Sequence, residues 1–371
     1  MRIVIDARMY QESGVGRYIR NLIYNLQKLD SKNEYFILLL QKEYDTLVYH
    51  NNFKKILANF RWYGINEQLN LPTILNRIKP DLVHFPHFNV PVFYKGKSVV
   101  TIHDLIHQHF QMKRATTLNP LTYKIKQLAY NKVFKNAIFK SQKILAPSNY
   151  VKNLLIKKWG VEGDKIRVTY EAVDDNIVEK CQMSNVKCQM LLSKRNIKKP
   201  YIFYVGNAHP HKNVEGLIKA FLKLKEKYKD LKLVLSGSEH YFWQRVKKEF
   251  NQEGIIYTGY ISDEELVALY KNAEMFVMPS FEEGFGIPLL ESMVCSCPIV
   301  SSDAGALKEV GGDACLYFDP YNNEDMTDKI GKLLKDQSLK NQLIEKGQKR
   351  VKQFSWEKLA KQTLKVYGET A

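Results

Sequence analysis

Short apolar runs separated by amphipathic stretches fill both halves of this 371-residue chain. In the first half they lie at Ile3–Ile5, Tyr35–Leu40, Leu82–Phe85, Ser98–Ile102 and Lys143–Ala146. In the second half they lie at Tyr201–Val205, Leu231–Leu235, Ile255–Tyr257, Met275–Met278 and Pro298–Val300. Continuous runs of this kind are typical of parallel strands buried on both faces, and the intervening segments predict crossover helices. The pattern therefore predicts an α/β protein with two Rossmann-like domains.

The polar, lysine-rich segment Asp174–Pro200 lacks strand periodicity and predicts the junction between the halves. We expect an N-terminal domain at 1–175, a linker at 176–199 and a C-terminal domain at 200–353. A final helix over 354–371 begins near Phe354-Ser355-Trp356-Glu357, with Ser355 as its N-cap. Two facing domains of this kind would enclose a deep cleft, where ligand sites concentrate.

The composition indicates a soluble globular enzyme or binding protein. Hydrophobic residues make up 45% and charged residues 26%, and no apolar run reaches the eighteen residues of a transmembrane helix. The first residues predict a strand rather than a signal peptide. The five cysteines form no Cys-x-x-Cys pair, which favours a reduced, cytoplasmic setting.

The net charge of +17 is concentrated in the first half. Residues 1–175 carry 27 Lys and Arg against 14 Asp and Glu, whereas the remainder carries 29 against 25. Between Leu105 and Val161 there are eleven basic residues and no acidic one. A field of one sign attracts polyanions or anionic lipid surfaces. A solvated basic face without a partner is the alternative.

Two candidate sites lie at strand ends of the first half. Gly14-Val15-Gly16-Arg17 presents a glycine pair opening a helix, which suits an anion, although a plain tight turn would look the same. His103 and Asp104 follow a buried strand, where a histidine serves as a hydrogen-bond donor or proton shuttle, or as a structural residue. Further histidines stand nearby at positions that fit no standard zinc pattern, so no metal is expected: His84, His87, His107 and His109.

Two further candidate sites lie in the second half. Lys212 follows the Gly206 turn and directly precedes a helix, an arrangement that suits a phosphate; an ordinary solvated lysine is the alternative. Glu283 and Glu291 bracket a segment with two glycines and Pro288 at a strand-to-helix turn. Glu291 suits either the helix dipole or a pair of vicinal hydroxyls, whereas Glu283 has no helix role and is expected to contact a ligand.

These elements together resemble the retaining GT-B glycosyltransferases of family 4, in particular mannosyltransferase-like members. The resemblance covers nearly the whole chain. It rests on the glycine loop, the His103-Asp104 strand end, Ala146-Pro147-Ser148, Gly206 to Asn213, Gly259 to Leu266, Pro279-Ser280 with the Glu283-x7-Glu291 block, and Phe354 to Glu357. It implies that the final helix crosses back onto the N-terminal domain, and that this domain binds the acceptor.

The resemblance also implies roles for individual residues. His103 would lie beside the reacting sugar, Lys212 would stabilise the diphosphate leaving group, and Glu283 would contact hydroxyls of the donor sugar. Glu291 would bind the ribose, and the backbone near Ile261 the nucleobase. Backbone N–H groups would bind sugar or phosphate oxygens at Gly14, Gly16, Gly284, Phe285, Gly286 and Ile287. The donor is a nucleotide-diphosphate sugar, no metal or cofactor is expected, and electrostatic stabilisation of the leaving group would drive the reaction.

The chain departs from the family at two positions of the loop from Gly206 to Asn213, here called the phosphate loop. Asn207 and His211 stand where an arginine is common. His211 as an imidazolium, or Arg8 or Arg17 of the other domain, would then supply the missing positive charge.

The resemblance suggests a membrane-binding role for the basic stretch 105–161, because many family members act on lipid-linked acceptors. Lys124, Lys126, Lys132 and Lys135 accompany an apolar stripe, Leu118, Leu121, Ile125 and Leu128, that suits peripheral binding to an anionic membrane unless it belongs to the core. We expect transfer of a hexose, with mannose first, to a glycan or lipid-linked acceptor in lipopolysaccharide or surface polysaccharide biosynthesis. A GT-B epimerase or phosphorylase is the alternative enzyme. A basic nucleic-acid-binding protein is the non-enzyme alternative, although no reader motif supports it.

Overall fold

The computed structural model describes residues 1–50, 52–106 and 120–370, and for 120–126 it describes the backbone only. The described chain divides into two compact units. The first contains Met1–Glu171 together with Trp356–Ala371, and the second contains Ala172–Ser355. Each unit is built around its own parallel sheet.

The first unit contains a seven-stranded parallel sheet in the order β3-β2-β1-β4-β5-β6-β7. Its strands are β1 (Arg2–Asp6), β2 (Glu34–Leu39), β3 (Phe53–Leu57), β4 (Leu82–Phe85), β5 (Ser98–Thr101), β6 (Lys143–Ala146) and β7 (Ile166–Val168). The chain therefore adds β2 and β3 on one side of β1 and then returns to add β4 to β7 on the other side. At this crossing β1 pairs with both β2 and β4, and such a switch point is the usual ligand site of an open α/β sheet.

Helices cover this sheet because the strands are apolar on both faces; every residue of β4 and β5 is buried. The helices are Gly14–Leu29, Gln41–Thr46, Ile65–Ile78, Pro120–Lys140 and Asn149–Trp159, followed at the end of the chain by Trp356–Thr370. The final helix packs against Gly14–Leu29. It buries Trp356, Leu359 and Tyr367 in the first unit. The predicted return of the final helix to the N-terminal half is confirmed.

The second unit contains a six-stranded parallel sheet in the order β10-β9-β8-β11-β12-β13. Its strands are β8 (Tyr201–Val205), β9 (Lys232–Ser236), β10 (Ile255–Gly259), β11 (Met275–Met278), β12 (Ile299–Ser302) and β13 (Cys315–Phe318). The switch point lies between β8 and β11, which pair directly. The carboxyl ends of these two strands carry the loops that begin at Gly206 and Pro279.

The helices of the second unit begin within the segment predicted to be a linker. They are Asp175–Lys180, Asn185–Lys194, Val214–Lys227, Tyr241–Glu249, Asp263–Asn272, Ile287–Val294, Leu307–Gly311, Asn323–Lys335 and Gln337–Val351. The first two pack against Asp263–Asn272, so residues 176–199 belong to the second unit. Ile177, Cys188 and Leu192 supply the apolar contacts of these two helices. Such sparse apolar positions do not stand out in a lysine-rich stretch.

Candidate functional site

The ring of His103 lies at the carboxyl end of β5 and uses both nitrogens. Nδ1 lies 3.0 Å from Oε1 of Glu171, and Nε2 lies 2.9 Å from the carbonyl oxygen of Pro86. A carbonyl oxygen only accepts hydrogen bonds, so Nε2 donates to Pro86, and the contact of Nδ1 with the Glu171 carboxyl group favours the doubly protonated imidazolium. Burial lowers the pKa of His103, but the hydrogen bond and charge of Glu171 outweigh it and raise the pKa above its usual value.

Glu171 was not predicted as a site residue. It is buried and stands 68 residues after His103, with no motif of its own. The neighbouring Asp104 accepts a hydrogen bond from the backbone N–H of Ile106 at 3.0 Å, which fixes the turn after β5. The Glu171 carboxylate is therefore the group that holds the charge on His103.

A hydrogen-bonded chain behind His103 connects it to the final helix. The ring of Tyr18 packs edge-on against His103, with centroids 4.9 Å apart, and its hydroxyl lies 3.1 Å from Oγ1 of Thr101. The same Oγ1 atom lies 2.8 Å from Nε2 of His84, whose Nδ1 lies 2.6 Å from the hydroxyl of Tyr367. The final helix thus supports the floor of the site through buried polar contacts.

The two glycines of the first loop differ in what they do. Gly14 begins its helix in open space, where a Cβ would meet nothing within 4 Å. A Cβ on Gly16 would lie 2.5 Å from the carbonyl oxygen of Tyr10 and 2.9 Å from that of Met9. Gly16 is therefore required by close packing of the backbone, whereas Gly14 leaves the helix N-terminus accessible to a ligand.

Arg8 is buried and already paired within the first unit. Its guanidinium is buried and donates to both carboxylate oxygens of Asp6, at 2.8 and 2.6 Å, and to Oε1 of Glu67 at 2.7 Å. Two carboxylates thus surround one guanidinium, and their charges raise its pKa in spite of burial. Compensation by Arg8 stays a prediction, and its charge is already paired with these two carboxylates.

In the second unit, the loop after β8 brings Lys212 to the front of a helix. Gly206 adopts a positive φ of 152°, and a 3-10 turn over Pro210–Lys212 leads into Val214–Lys227. The backbone N–H of Phe281 donates to the carbonyl oxygen of His211 at 2.7 Å, which joins this loop to the loop after β11. Asn207 shapes the turn, since Tyr204 donates to its carbonyl and its own side chain accepts from His209.

Lys212 and Glu283 form an ion pair across the two loops. The ammonium group lies 2.7 and 2.9 Å from the two carboxylate oxygens of Glu283. The hydroxyl of Ser280 donates to the same carboxylate at 2.6 Å. The Lys212 and Glu283 side chains are only 19% and 8% exposed, so the pair is largely shielded from water. The predicted phosphate-binding and sugar-binding residues thus lie side by side.

The glycine segment after Glu283 turns tightly into a helix. Gly286 adopts a φ of 105° and caps Ile287–Val294, with Pro288 in the first turn. Gly284 and Phe285, between Glu283 and this cap, are buried, and the ring of Phe285 contacts that of Phe354. The helix thus begins at the carboxyl edge of the sheet, where Pro288 has no N–H and the N–H of Leu289 donates to the carbonyl oxygen of Gly286 at 3.0 Å.

Gly305 was not predicted, although it supports the same segment. A Cβ at this position would lie 2.6 Å from both the backbone nitrogen and the backbone oxygen of Glu283. The N–H of Ala306 also donates to the carbonyl oxygen of Glu283. The loop after β12 therefore fixes the backbone from which the Glu283 side chain projects.

Glu291 lies one turn into the helix that follows and is almost completely buried. The hydroxyl of Tyr270 donates to its Oε2 atom at 3.1 Å. Burial, followed by the charge of Glu291, raises the pKa of Tyr270 well above its usual value, so the hydroxyl keeps its proton. Tyr270 thereby orients the carboxylate, a contact that sequence patterns do not reveal.

Ile261 follows β10 and lines a small pocket with Arg195, Thr258 and Glu265. Arg195 donates to the carbonyl oxygens of Thr258 and Tyr260 and forms an ion pair with Glu265. This arginine, which no motif indicated, holds the backbone around Ile261 in place.

Histidine rings line the phosphate loop in a column. His209 stacks on His211, with ring centroids 5.8 Å apart, and on His240, with centroids 5.5 Å apart. His240 comes from the loop after β9 and was not predicted. The column places imidazoles beside Lys212, at the position where the family resemblance leads one to expect arginine.

The histidine-rich segment shows no metal site among the described residues. His84 and His103 have the partners given above, and Nδ1 of His87 lies 2.7 Å from Oδ1 of Asn89. His107 and His109 lie outside the described residues.

The basic stretch is described only in part. Lys132 and Lys135 are exposed on the helix Pro120–Lys140, as is Leu128 at 70%. The side chains of Lys124 and Lys126 lie outside the described residues, as do those of Leu118, Leu121 and Ile125. The face of this helix that enters the core carries Phe134, Ala137 and Ile138 instead. In the described part of the chain, no helix combines the length and the apolar character needed to span a bilayer.

Comparison with known proteins identifies the family. The family model for Glycosyltransferase Family 4 matches residues 13–177, and the model for Glycosyl transferases group 1 matches residues 192–350. The chain is 31% identical over 299 residues to O-antigen chain mannosyltransferase B of Escherichia coli, covering 79% of this chain and 75% of that protein.

Solved structures show the same fold. A glycosyltransferase from Rickettsia africae matches with a TM-score of 0.76 at 20% identity, over 100% of this chain and 98% of that one. HepE from Anabaena, solved in complex with UDP and glucose, matches with a TM-score of 0.75 at 15% identity, over 99% of both chains. The chain belongs to glycosyltransferase family 4 and is a glycosyltransferase with the GT-B fold.

Proposed function

We propose that this glycosyltransferase transfers a mannosyl residue from a nucleotide-diphosphate sugar to a glycan or lipid-linked acceptor, with retention of configuration, in surface polysaccharide assembly. The choice of mannose and of polysaccharide rests on the relative named O-antigen chain mannosyltransferase B. The nucleotide-sugar donor is supported by HepE, whose structure contains UDP and glucose.

The observation that carries the proposal is the ion pair between Lys212 and Glu283. The buried carboxylate of Glu283 suits sugar hydroxyls. Lys212 and Ser280 use only some of its lone pairs, and the remaining ones can accept hydrogen bonds from a ligand. The lysine suits the diphosphate, whose negative charge grows as the glycosidic bond to the donor breaks. Both groups are held in place before any ligand arrives, which is the condition for electrostatic catalysis.

The remaining residues receive supporting roles. Glu291, oriented by Tyr270, accepts hydrogen bonds from the ribose hydroxyls, and the backbone at Ile261 faces the nucleobase. The backbone N–H of Ile287, at the start of this helix, binds an oxygen of the sugar or the phosphate. Since lysine and helix N–H groups supply the positive charge, the reaction proceeds without a divalent metal.

His103 acts as a fixed cation rather than as a general base. In the imidazolium form, which Glu171 favours, both ring nitrogens donate, to Glu171 and to Pro86, and neither has a lone pair to accept a proton. In the first unit, the exposed basic residues Lys132 and Lys135 serve peripheral contact with an anionic membrane that carries the acceptor.

A panel of sugar nucleotides tests the proposal. UDP-, GDP- and dTDP-sugars are added to the full chain, and the melting temperature and slow donor hydrolysis are measured with and without EDTA. We expect a GDP-linked mannosyl donor to stabilise the chain most and EDTA to change nothing. A Lys212→Met variant should lose hydrolysis, and a Lys308→Met variant, altered at an exposed pair, should keep it. If no sugar nucleotide stabilises or reacts, the proposal fails.

A further inference from the structure

Two cysteines that are far apart in the sequence lie side by side in the second unit. The Sγ atoms of Cys181 and Cys295 are 2.9 Å apart, although 114 positions separate the residues. Cys181 ends the helix Asp175–Lys180, and Cys295 ends the helix Ile287–Val294 that carries Glu291. A disulfide bond has an S–S length of about 2.05 Å, so the sulfurs need to approach by less than about 1 Å to bond.

The two thiols are unequal in exposure and acidity. Cys181 is half-buried, and the hydrogen bond from Cys295 lowers its pKa, with the Lys271 ammonium adding to this effect. Lys271 is held there because it donates to the carbonyl oxygen of Cys181 at 3.1 Å. Cys295 is buried, and its contact with Cys181 and its burial raise its pKa. A partly exposed, acidic thiol beside a buried partner is the usual arrangement of an attacking and a resolving cysteine.

We propose that Cys181 and Cys295 form a thiol–disulfide exchange site that closes reversibly into an intramolecular disulfide. The oxidant is a low-molecular-weight disulfide. The Cys181 thiolate attacks one of its sulfurs and expels the other as a thiolate, which leaves a mixed disulfide on Cys181. The Cys295 thiol then gives up its proton and attacks the Cys181 sulfur, expelling the second thiolate. Two protein thiols are oxidised, and one small disulfide is reduced to two thiols.

The bond ties the beginning of the second unit to the helix behind the glycine segment. A cross-link over 114 residues removes much of the chain entropy of the unfolded state. The oxidised chain is therefore expected to melt roughly 5 °C or more above the reduced chain. The other cysteines have no such arrangement: Cys188, Cys297 and Cys315 are buried, and burial raises the pKa of Cys297 and of Cys315 to about 12.

The test uses the full chain equilibrated in glutathione buffers from fully reduced to fully oxidised. Free thiols are alkylated, and disulfide-linked peptides are identified by mass spectrometry, with melting followed in parallel. We expect a peptide linking Cys181 to Cys295 and the rise in melting temperature. Both should be absent from Cys181→Ser and Cys295→Ser variants and present in Cys188→Ala, which removes a buried cysteine of the neighbouring helix.

Three results would overturn the proposal. The first is a chain that keeps five free thiols in oxidised glutathione. The second is a stable mixed disulfide on Cys181 that Cys295 does not resolve. The third is a cross-link of equal yield in the Cys295→Ser variant, which would show that another cysteine is the partner. Donor binding enters none of these measurements, so the test is independent of the proposed function.

Discussion

Replacing both members of the Lys212–Glu283 ion pair should cost far less stability than the two single replacements suggest. Lys212→Met leaves a carboxylate of 8% exposure that has lost its counterion and still accepts a hydrogen bond from the Ser280 hydroxyl. Glu283→Gln leaves an ammonium group of 19% exposure without its counterion. The double variant leaves neither charge behind.

The burial of the two side chains sets the size of the effect. Removing one partner of a buried ion pair destabilises a protein by about 3–5 kcal/mol. We therefore expect about 3 kcal/mol for Lys212→Met, and about 2 kcal/mol for Glu283→Gln because the lysine can turn toward water. The double variant should lose about 2 kcal/mol, which gives a coupling of about 3 kcal/mol, at the upper end for residues in direct contact.

The assay is denaturation of the four proteins by calorimetry and by urea. About 3 kcal/mol corresponds to a fall in melting temperature of roughly 6 °C or more for a domain of this size. The matched control is Lys308→Met at the exposed pair with Asp303, whose side chains are 60% and 41% exposed; it should stay within about 0.5 kcal/mol of the wild type. Additive losses in the double variant would refute the reasoning, since they would show that the two charges do not interact.

Three further predictions concern the buried polar groups. Glu171→Gln removes the charge that raises the pKa of His103. Transfer activity should therefore begin to fall at a lower pH than in the wild type. If Glu171 had a purely structural role, the pH at which activity falls would not change. Burial, with the charge of His103, lowers the pKa of His84 to about 3. The stability that the neutral, buried ring contributes is complete above the unfolded pKa of about 6.5 and is lost as the pH falls toward 3. In urea denaturation at a series of pH values, the free energy of unfolding of His84→Gln should therefore fall less at acid pH than that of the wild type. Tyr270→Phe should weaken nucleoside diphosphate binding by about fivefold in calorimetry, because a hydrogen bond to Glu291 contributes about 1 kcal/mol; unchanged affinity would remove Glu291 from the ribose site.

The strands that sequence patterns missed are all edge strands. β3 has the sequence Phe-Lys-Lys-Ile-Leu, in which only Phe53 is buried, and β7 has only three residues. β13 closes one edge of the second sheet, and only its first and last residues are buried. An edge strand needs no continuous apolar run, because one side of it is not covered by another strand. The central strands carry such runs and were predicted within one or two residues.

The candidate site likewise contains features that local sequence predicts and features that it does not. Loops that follow a strand are local, so Lys212 and Glu283 could be placed from spacing and turn residues. Their contact, 71 positions apart, depends on strand order. The same holds for Glu171 on His103, at 68 positions. Partners of this kind carry no local signal, since any carboxylate brought there by the fold would serve equally well.

Arg8 shows why a charge in the right segment is not yet a ligand-binding charge. Its segment follows β1 at the switch point of the first sheet, where an anion-binding arginine would be expected. However, Asp6 and Glu67 both accept from it, and an anion would have to displace a buried carboxylate to reach it.

Lys212 is also paired, but with a single carboxylate that has its own proposed use. In the proposed function, the sugar hydroxyls replace the lysine at Glu283 while the diphosphate replaces Glu283 at the lysine. No charge is then left without a partner at any stage, because each group exchanges one favourable contact for another. The absence of arginine at Asn207 and His211 is therefore compatible with diphosphate binding. What the pair supplies is a lysine that the protein itself holds in position before the donor arrives.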